Sequence, residues 1–292
     1  QVEVAGIDLI RDTRSGKVYI VEVNEAPQFK VFEKRTKINA AREVMLYLTK
    51  KFEESKNLNL KVERKILVLS RFAKEYEPTR LLEEARTSPT PHTGSSLSVD
   101  TERVMRKADL VKYGKIELSE TGVNLGKDRK LSEYSLIVPR SASKKGSSMV
   151  STKAVVLQEA ERLGIKVVNG KSFSRFPLLG KMEQGTALTN AGLPTVSYRS
   201  FGSSDNWKNL KVEFPTIVKG RFGSHGRTVK KVENQKELDE LVRSYKGDNV
   251  LIQPVLPIKV WFRCIVCNGE YLGEMKHKQK DRFKIADCTL QI

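Results

Sequence analysis

The chain has 292 residues, 39% hydrophobic and 30% charged, which makes it globular rather than fibrous or disordered and gives it room for two ordinary domains or one large one. No apolar run approaches a membrane span and no signal peptide opens the chain, so the expected setting is the cytoplasm, away from membranes. The net charge of +18 invites an anionic partner such as nucleic acid, a nucleotide or an acidic peptide, yet Lys and Arg are spread along the whole length, and a solvated basic surface is the simpler account.

The first stretch, Val4 to Phe29, reads as two apolar strands joined by the polar turn Asp12 to Gly16. A turn centred near Ser15 sets Asp8 across the ladder from Glu22, and period-two alternation puts Asn24 on the face of Glu22. Two carboxylates directly opposite one another destabilise a hairpin unless a cation lies between them, and an all-oxygen set suits Mg²⁺. An exposed sheet face with solvated acids is the plain alternative. The next segment, INAAREVMLYLTKKFEE, sets Ile38, Ala41, Val44, Met45 and Leu48 on one helical face and closes a first unit at residue 52. Residues 53–64 are polar and read as a linker.

KILVLS, from Lys65, is a short buried strand, followed by a helix containing Arg80, Leu81, Leu82 and Ala85. The pattern repeats with the strand Ser135 to Arg140, a helix over Val155 to Leu163 and the strand Ile165 to Asn169. Strands alternating with helices imply a mostly parallel sheet, here over residues 65–172. The stretch Thr87 to Ser98 is a loop by composition and carries no chemistry.

Residues 173–292 change character. A helix over KMEQGTALTNAG stops at Gly192 and Pro194, and FPTIVKGRFGSHGRTVKKV gives a strand ending at Lys219, a glycine-interrupted loop and a second strand. Gly220, Gly223 and Gly226 let backbone N–H groups converge on an anion beside the point charge of Lys219, in the company of Arg221, Ser224, His225 and Arg227. A strand follows, so this is neither of the familiar nucleotide-loop patterns, and an ordinary hairpin turn is the alternative. VLIQPVL, from Val250, ends where its backbone groups could meet a purine. Arg263, in an otherwise apolar strand beside Trp261, Phe262 and Cys264, is a candidate phosphate ligand. Cys264, Cys267 and Cys288 have no framework spacing and read as reduced, mostly buried thiols.

From Lys65 to Phe283 the chain resembles the first part of a RimK-type ATP-grasp ligase, through KILVLSR, LIVPR, the Gly180-Lys181 pair, IVKGRFGSHGRTV, LIQPVL and FRCIVCNGEYLGEMKHK. Gln1 to Phe52 resembles the last part of the same domain, through VAGIDL, YIVEVNEAP and FEKRTKINAAREVMLYL. The resemblance implies an α/β chain, an ATP-grasp fold with a preceding Rossmann-like domain, its segments in permuted order. The mostly absent connection between the strand near Met275 and VAGIDL favours a cut tandem array or a truncated gene over a circular permutation. The chain, starting at Gln1 and stopping at Ile292 without a terminal cap, reads as a fragment.

The chemistry implied is an ATP-dependent ligation in which a carboxylate becomes an acylphosphate and an amine then displaces phosphate. By the same resemblance Lys181 and Lys219 hold the ATP phosphates, Gly223, Ser224, His225 and Gly226 cover them, and Gln253, Pro254 and Val255 lie at the adenine. Asp8, Glu22 and Asn24 bind Mg²⁺, with Mn²⁺ as a substitute, and Arg263 steadies the transferred phosphoryl group. Such a reaction needs positioning and charge neutralisation more than a covalent catalyst. The pattern departs from the family at Pro254, at Trp261, which stands where an acid for the ribose is expected, and after Phe283, where Lys284 replaces an arginine. The expected substrates are a small-molecule or peptide carboxylate and an amine, as in glutamate or amino-acid ligation, and the basic charge points to an acidic one such as glutamate or an acidic peptide tail. If the N-terminal hairpin completes the site of a neighbouring copy, a homo-oligomer follows. The alternatives are a basic nucleic-acid-binding module without catalysis, which explains only the charge, and an inactive ATP-grasp remnant.

Overall fold

The computed structural model describes residues 2–53, 65–72, 75–87, 108–127, 129–140, 148–176, 180–201, 210–222, 228–245 and 250–278. The linker from 54, the loop from 88, Gly223 to Gly226 and everything after Lys278, Cys288 included, lie outside those residues. The chain divides into two compact units, one of residues 1–6, 24–178 and 265–273, the other of residues 7–23, 179–264 and 274–292.

The chain opens with β1 (Val4–Asp12) and β2 (Val18–Asn24), then α1 (Lys30–Thr36) and α2 (Ala40–Glu53). In α2 the residues Ala41, Val44, Met45 and Leu48 are 0–3% exposed, the spacing expected of one helical face, while Ile38 precedes the helix and is half-buried. Each large side chain so buried stabilises by about 1.5–3 kcal/mol.

The rest of the first unit is a parallel sheet. β3 (Lys65–Ser70) leads to α3 (Tyr76–Thr87), β4 (Ala108–Lys112), a small antiparallel pair of β5 (Glu117–Ser119) and β6 (Gly122–Asn124), and then β7 (Tyr134–Pro139), α4 (Ser148–Arg162), β8 (Lys166–Val167) and α5 (Gly170–Arg175). The sheet order is β4-β3-β7-β8, every neighbouring pair parallel. A strand covered on both faces needs a continuous apolar run, and Ile66, Leu67, Val68 and Leu69 are each at most 1% exposed. Leu67 and Leu69 pack with Val111, Ile137 and, from α4, Val156 and Ala160. The α/β class and the parallel sheet read from the sequence are what the structure has.

The second unit holds α6 (Lys181–Asn190), β9 (Thr216–Gly220), β10 (Val229–Val232), α7 (Gln235–Ser244) and β11 (Val250–Pro254). β9 is central and antiparallel to both neighbours, with Lys219 in register with Val229 and Leu251. The sequence reading leaves 235–244 unassigned, although the signals are present: the Asn234 side chain accepts from the Glu237 N–H at 3.0 Å, and Leu238 and Val242 pack on Val218, Val232 and Ile252. β12 (Ile258–Cys267) and β13 (Glu270–Lys278) complete a four-stranded sheet in the order β13-β12-β1-β2, so the hairpin strand β1 lies between β2 and a strand more than 240 residues later. Among the described residues no helix is long and apolar enough to cross a membrane.

Candidate functional site

The N-terminal turn is a four-residue loop. The Asp12 N–H donates to the Lys17 carbonyl at 2.9 Å, the Gly16 N–H donates to the Asp12 carbonyl, and Gly16 sits at φ +70°, which favours glycine. The turn therefore closes on residues 12 and 17. Along β2 the Ile20 N–H donates to the Pro194 carbonyl at 2.8 Å and the Val23 N–H to the Gln184 Oε1 at 3.0 Å.

Asp8 is buried and its cation is a side chain. Arg263 Nε and Nη2 each donate to one Asp8 oxygen at 2.7 Å, across the neighbouring strands β1 and β12. Burial works against the Arg263 charge, but the Asp8 bond and the fields of Asp8 and Glu22 outweigh it and raise its pKa. Two positions along the strand, the Trp261 ring lies 5.5 Å from that guanidinium and stacks on His277.

Lys219 belongs to the same unit. Burial, together with the nearby Lys181, pushes its pKa down to about 8, and Glu22 opposes the shift. Lys181 starts α6, where its N–H donates to the Arg221 carbonyl at 3.0 Å and ties the helix to the end of β9. Gly180 just before it has to be glycine, because a Cβ would stand 2.9 Å from the Phe222 ring and 3.1 Å from Arg221. Arg221 is committed to Glu183 as an ion pair. Arg263 and Asp8 are thus in contact, and Lys181 and Glu22 lie near enough for their fields to act on Lys219, as that of Glu22 does on Arg263. At the end of β11 the Gln253 carbonyl accepts from Thr216 Oγ1 at 2.8 Å, Pro254 is exposed and Val255 half-buried. Asn24, by itself, accepts from the Ala26 N–H at 3.0 Å through Oδ1. Gly223, Ser224, His225 and Gly226 lie outside the described residues.

Among the described residues no three His, Cys, Asp or Glu side chains are grouped to hold a metal, so a cation here would rest on the two acids Asp8 and Glu22. Arg263 takes two of the roughly four lone-pair sites of the Asp8 carboxylate, and Glu22 accepts no hydrogen bond among the described residues.

In the first unit, three residues that the sequence reading missed fasten the hairpin base. The Asn169 side chain, 2% exposed, accepts from the N–H groups of Glu3 and Val4 and donates to the carbonyls of Val4 and Glu25, both at 2.8 Å. Arg140 donates to the carbonyls of Ala26 and Pro27, the latter at 2.6 Å. Glu77 accepts from the Phe29 and Lys30 N–H groups at the start of α1. Glu25 is buried with Ser172 bonded to it; burial raises its carboxyl pKa and lowers that of Lys153, and each opposes the other's shift. A polar residue closing an apolar strand, as Asn169 closes IKVVN, is the one signal that could have pointed here.

Residues 1–48 match the family model described as a RimK-like ATP-grasp domain. That stretch, with the first hairpin and the two helices after it, is what the chain shares with the family. Over 226 residues the chain is 26% identical to a protein named "Probable alpha-L-glutamate ligase" from Thioalkalivibrio sulfidiphilus, covering 74% of the chain and 68% of that protein. Among solved structures it is similar to a RimK domain protein ATP-grasp from Sphaerobacter thermophilus, with 20% identity, 72% of each chain covered and a TM-score of 0.48. It is also similar to the D-alanine–D-alanine ligase from Bacillus anthracis complexed with ATP, with 15% identity, 75% of this chain and 68% of that one covered, and a TM-score of 0.42.

Proposed function

We propose that this chain joins a carboxylate to an amine at the expense of ATP, through an acylphosphate. The observation that carries the reading is the meeting of Lys181, Lys219 and Arg263 with Asp8 and Glu22 in one unit. A carboxylate oxygen attacks the γ-phosphorus and ADP leaves; the amine nitrogen then attacks the acyl carbon, losing a proton, and inorganic phosphate leaves. Lys181 and Lys219 hold the phosphates, Gly223, Ser224, His225 and Gly226 cover them, and Gln253, Pro254 and Val255 flank the adenine. Arg263 steadies the transferred group. Asp8, Glu22 and Asn24 would hold a divalent cation, Mg²⁺ or Mn²⁺, which would neutralise phosphate charge. In this reading residues 1–52 are the closing segment of the ATP-grasp domain, 65–172 the domain that precedes it and 173–292 the nucleotide-binding region. Glutamate is the favoured carboxylate or amine, from the name of the curated relative and the basic surface.

The test supplies Mg-ATP with single amino acids and acidic peptides and reads amide product by mass spectrometry beside ADP release. Both should require carboxylate and amine together, since an acylphosphate is shielded from water. Lys219→Ala should weaken Mg-ATP binding by about 1.5–3 kcal/mol, roughly ten- to a hundredfold. Full ATP turnover without an acceptor, or unchanged affinity in the variant, contradicts the reading.

A further inference from the structure

Asp8 is a candidate metal ligand whose two oxygens are both held by one guanidinium. The partners differ in access: the Asp8 side chain is 8% exposed and that of Arg263 is 34%. The pair is therefore fixed on the acid's side and open on the arginine's. The third nitrogen of the guanidinium, Nη1, makes no hydrogen bond among the described residues, and the Trp261 face, two residues along the same strand, offers the charge a second seat at 5.5 Å. Glu22 acts on Arg263 and Lys219 alike, so its carboxylate faces a field of cations. A divalent ion reaching Asp8 meets a positive charge already in place, and two cations cannot keep the same pair of oxygens without repulsion.

We infer that Arg263 serves two partners in turn: it is the internal counter-ion of Asp8, and it yields that carboxylate to the divalent cation and moves to the phosphoryl group being transferred. The exchange deepens the ligase reading and rests on it. It keeps the buried acid neutralised at every stage and ties the arrival of the metal to the delivery of a charge-assisted donor to phosphate. The arginine then has opposite effects on two measurable quantities. It lowers the affinity of the protein for metal alone and raises the rate of phosphoryl transfer.

The test is direct binding of Mn²⁺ to the full chain without nucleotide, by electron paramagnetic resonance at pH 8, in the unaltered protein, Arg263→Gln and Arg263→Lys. Arg263→Gln removes the competing charge and should bind Mn²⁺ roughly tenfold more tightly, while its ligation kcat falls by a hundredfold or more. Arg263→Lys keeps a charge that cannot grip both oxygens, so it should fold even if the glutamine variant does not, and should shift in the same direction by less. Unchanged or weaker Mn²⁺ binding in either variant, with normal binding in the unaltered protein, overturns the exchange and leaves the ligase reading standing. Failure of the unaltered protein to bind both Mn²⁺ and Mg-ATP overturns the ligase reading and the exchange with it.

Discussion

Lys219 offers a test that reads a proton rather than a product. Its pKa, pushed from 10.5 to about 8, leaves the ammonium half-protonated at pH 8. Phosphate oxygens beside it favour the charged form and pull the value back toward the ordinary lysine range. Binding Mg-ATP at pH 8 should therefore take up roughly half a proton, falling to about a tenth at pH 7 and rising to about nine-tenths at pH 9. The uptake is read by calorimetry in buffers of different ionisation enthalpy, as the slope of apparent binding enthalpy against that quantity. Lys219→Arg stays charged throughout and should bind without uptake. Affinity should fall above pH 8 by up to about tenfold per unit. The same shift makes the folded protein gain stability as pH rises from about 8 toward 10.5, because in that window the unfolded chain binds the extra proton. Absence of uptake in the unaltered protein at pH 8 and 9, or equal uptake in Lys219→Arg, refutes a lysine facing phosphate.

Asn169→Asp replaces a donor that serves two carbonyls with an oxygen that faces them, and should cost about 2–4 kcal/mol in chemical denaturation; a variant as stable as the parent would dismiss the anchoring of the hairpin base. Glu25→Gln and Lys153→Met should each destabilise by about 3 kcal/mol, and the double variant by much less than their sum, because the partner left buried alone is the main cost. Additive losses would show that the two charges do not lean on each other.

The parallel sheet was legible because KILVLS and SLIVPR are unbroken apolar runs, which only a strand covered on both faces tolerates. The face of α2 was legible because Ala41, Val44, Met45 and Leu48 keep helical spacing. The length of the loop in the first hairpin was not legible, since Ser15 and Gly16 allow several lengths and only the Asp12 to Lys17 bond selects one. Arg263 was seen as a cation among apolar neighbours, but its partner Asp8 is 255 residues away and no local pattern links them. Asn169, Arg140 and Glu77 were missed for the same reason: each satisfies backbone groups of a segment far off in sequence, and such bonds leave no periodic trace.

The span of the Asn169 bonds also bears on how the molecule reaches its native state. Asn169 and Val4 are 165 residues apart, and closing a loop of that length costs roughly 3 kcal/mol more entropy than closing a four-residue turn. The tip of the hairpin can form early from its own local contacts, whereas its root must wait for β8 and the chain before it to be in place. Contacts of such high order slow folding and gather at its end. The root of the hairpin is therefore among the last parts of the protein to be set, and a chain can hold most of its sheet before Asn169 fastens the ends of β1 and β2.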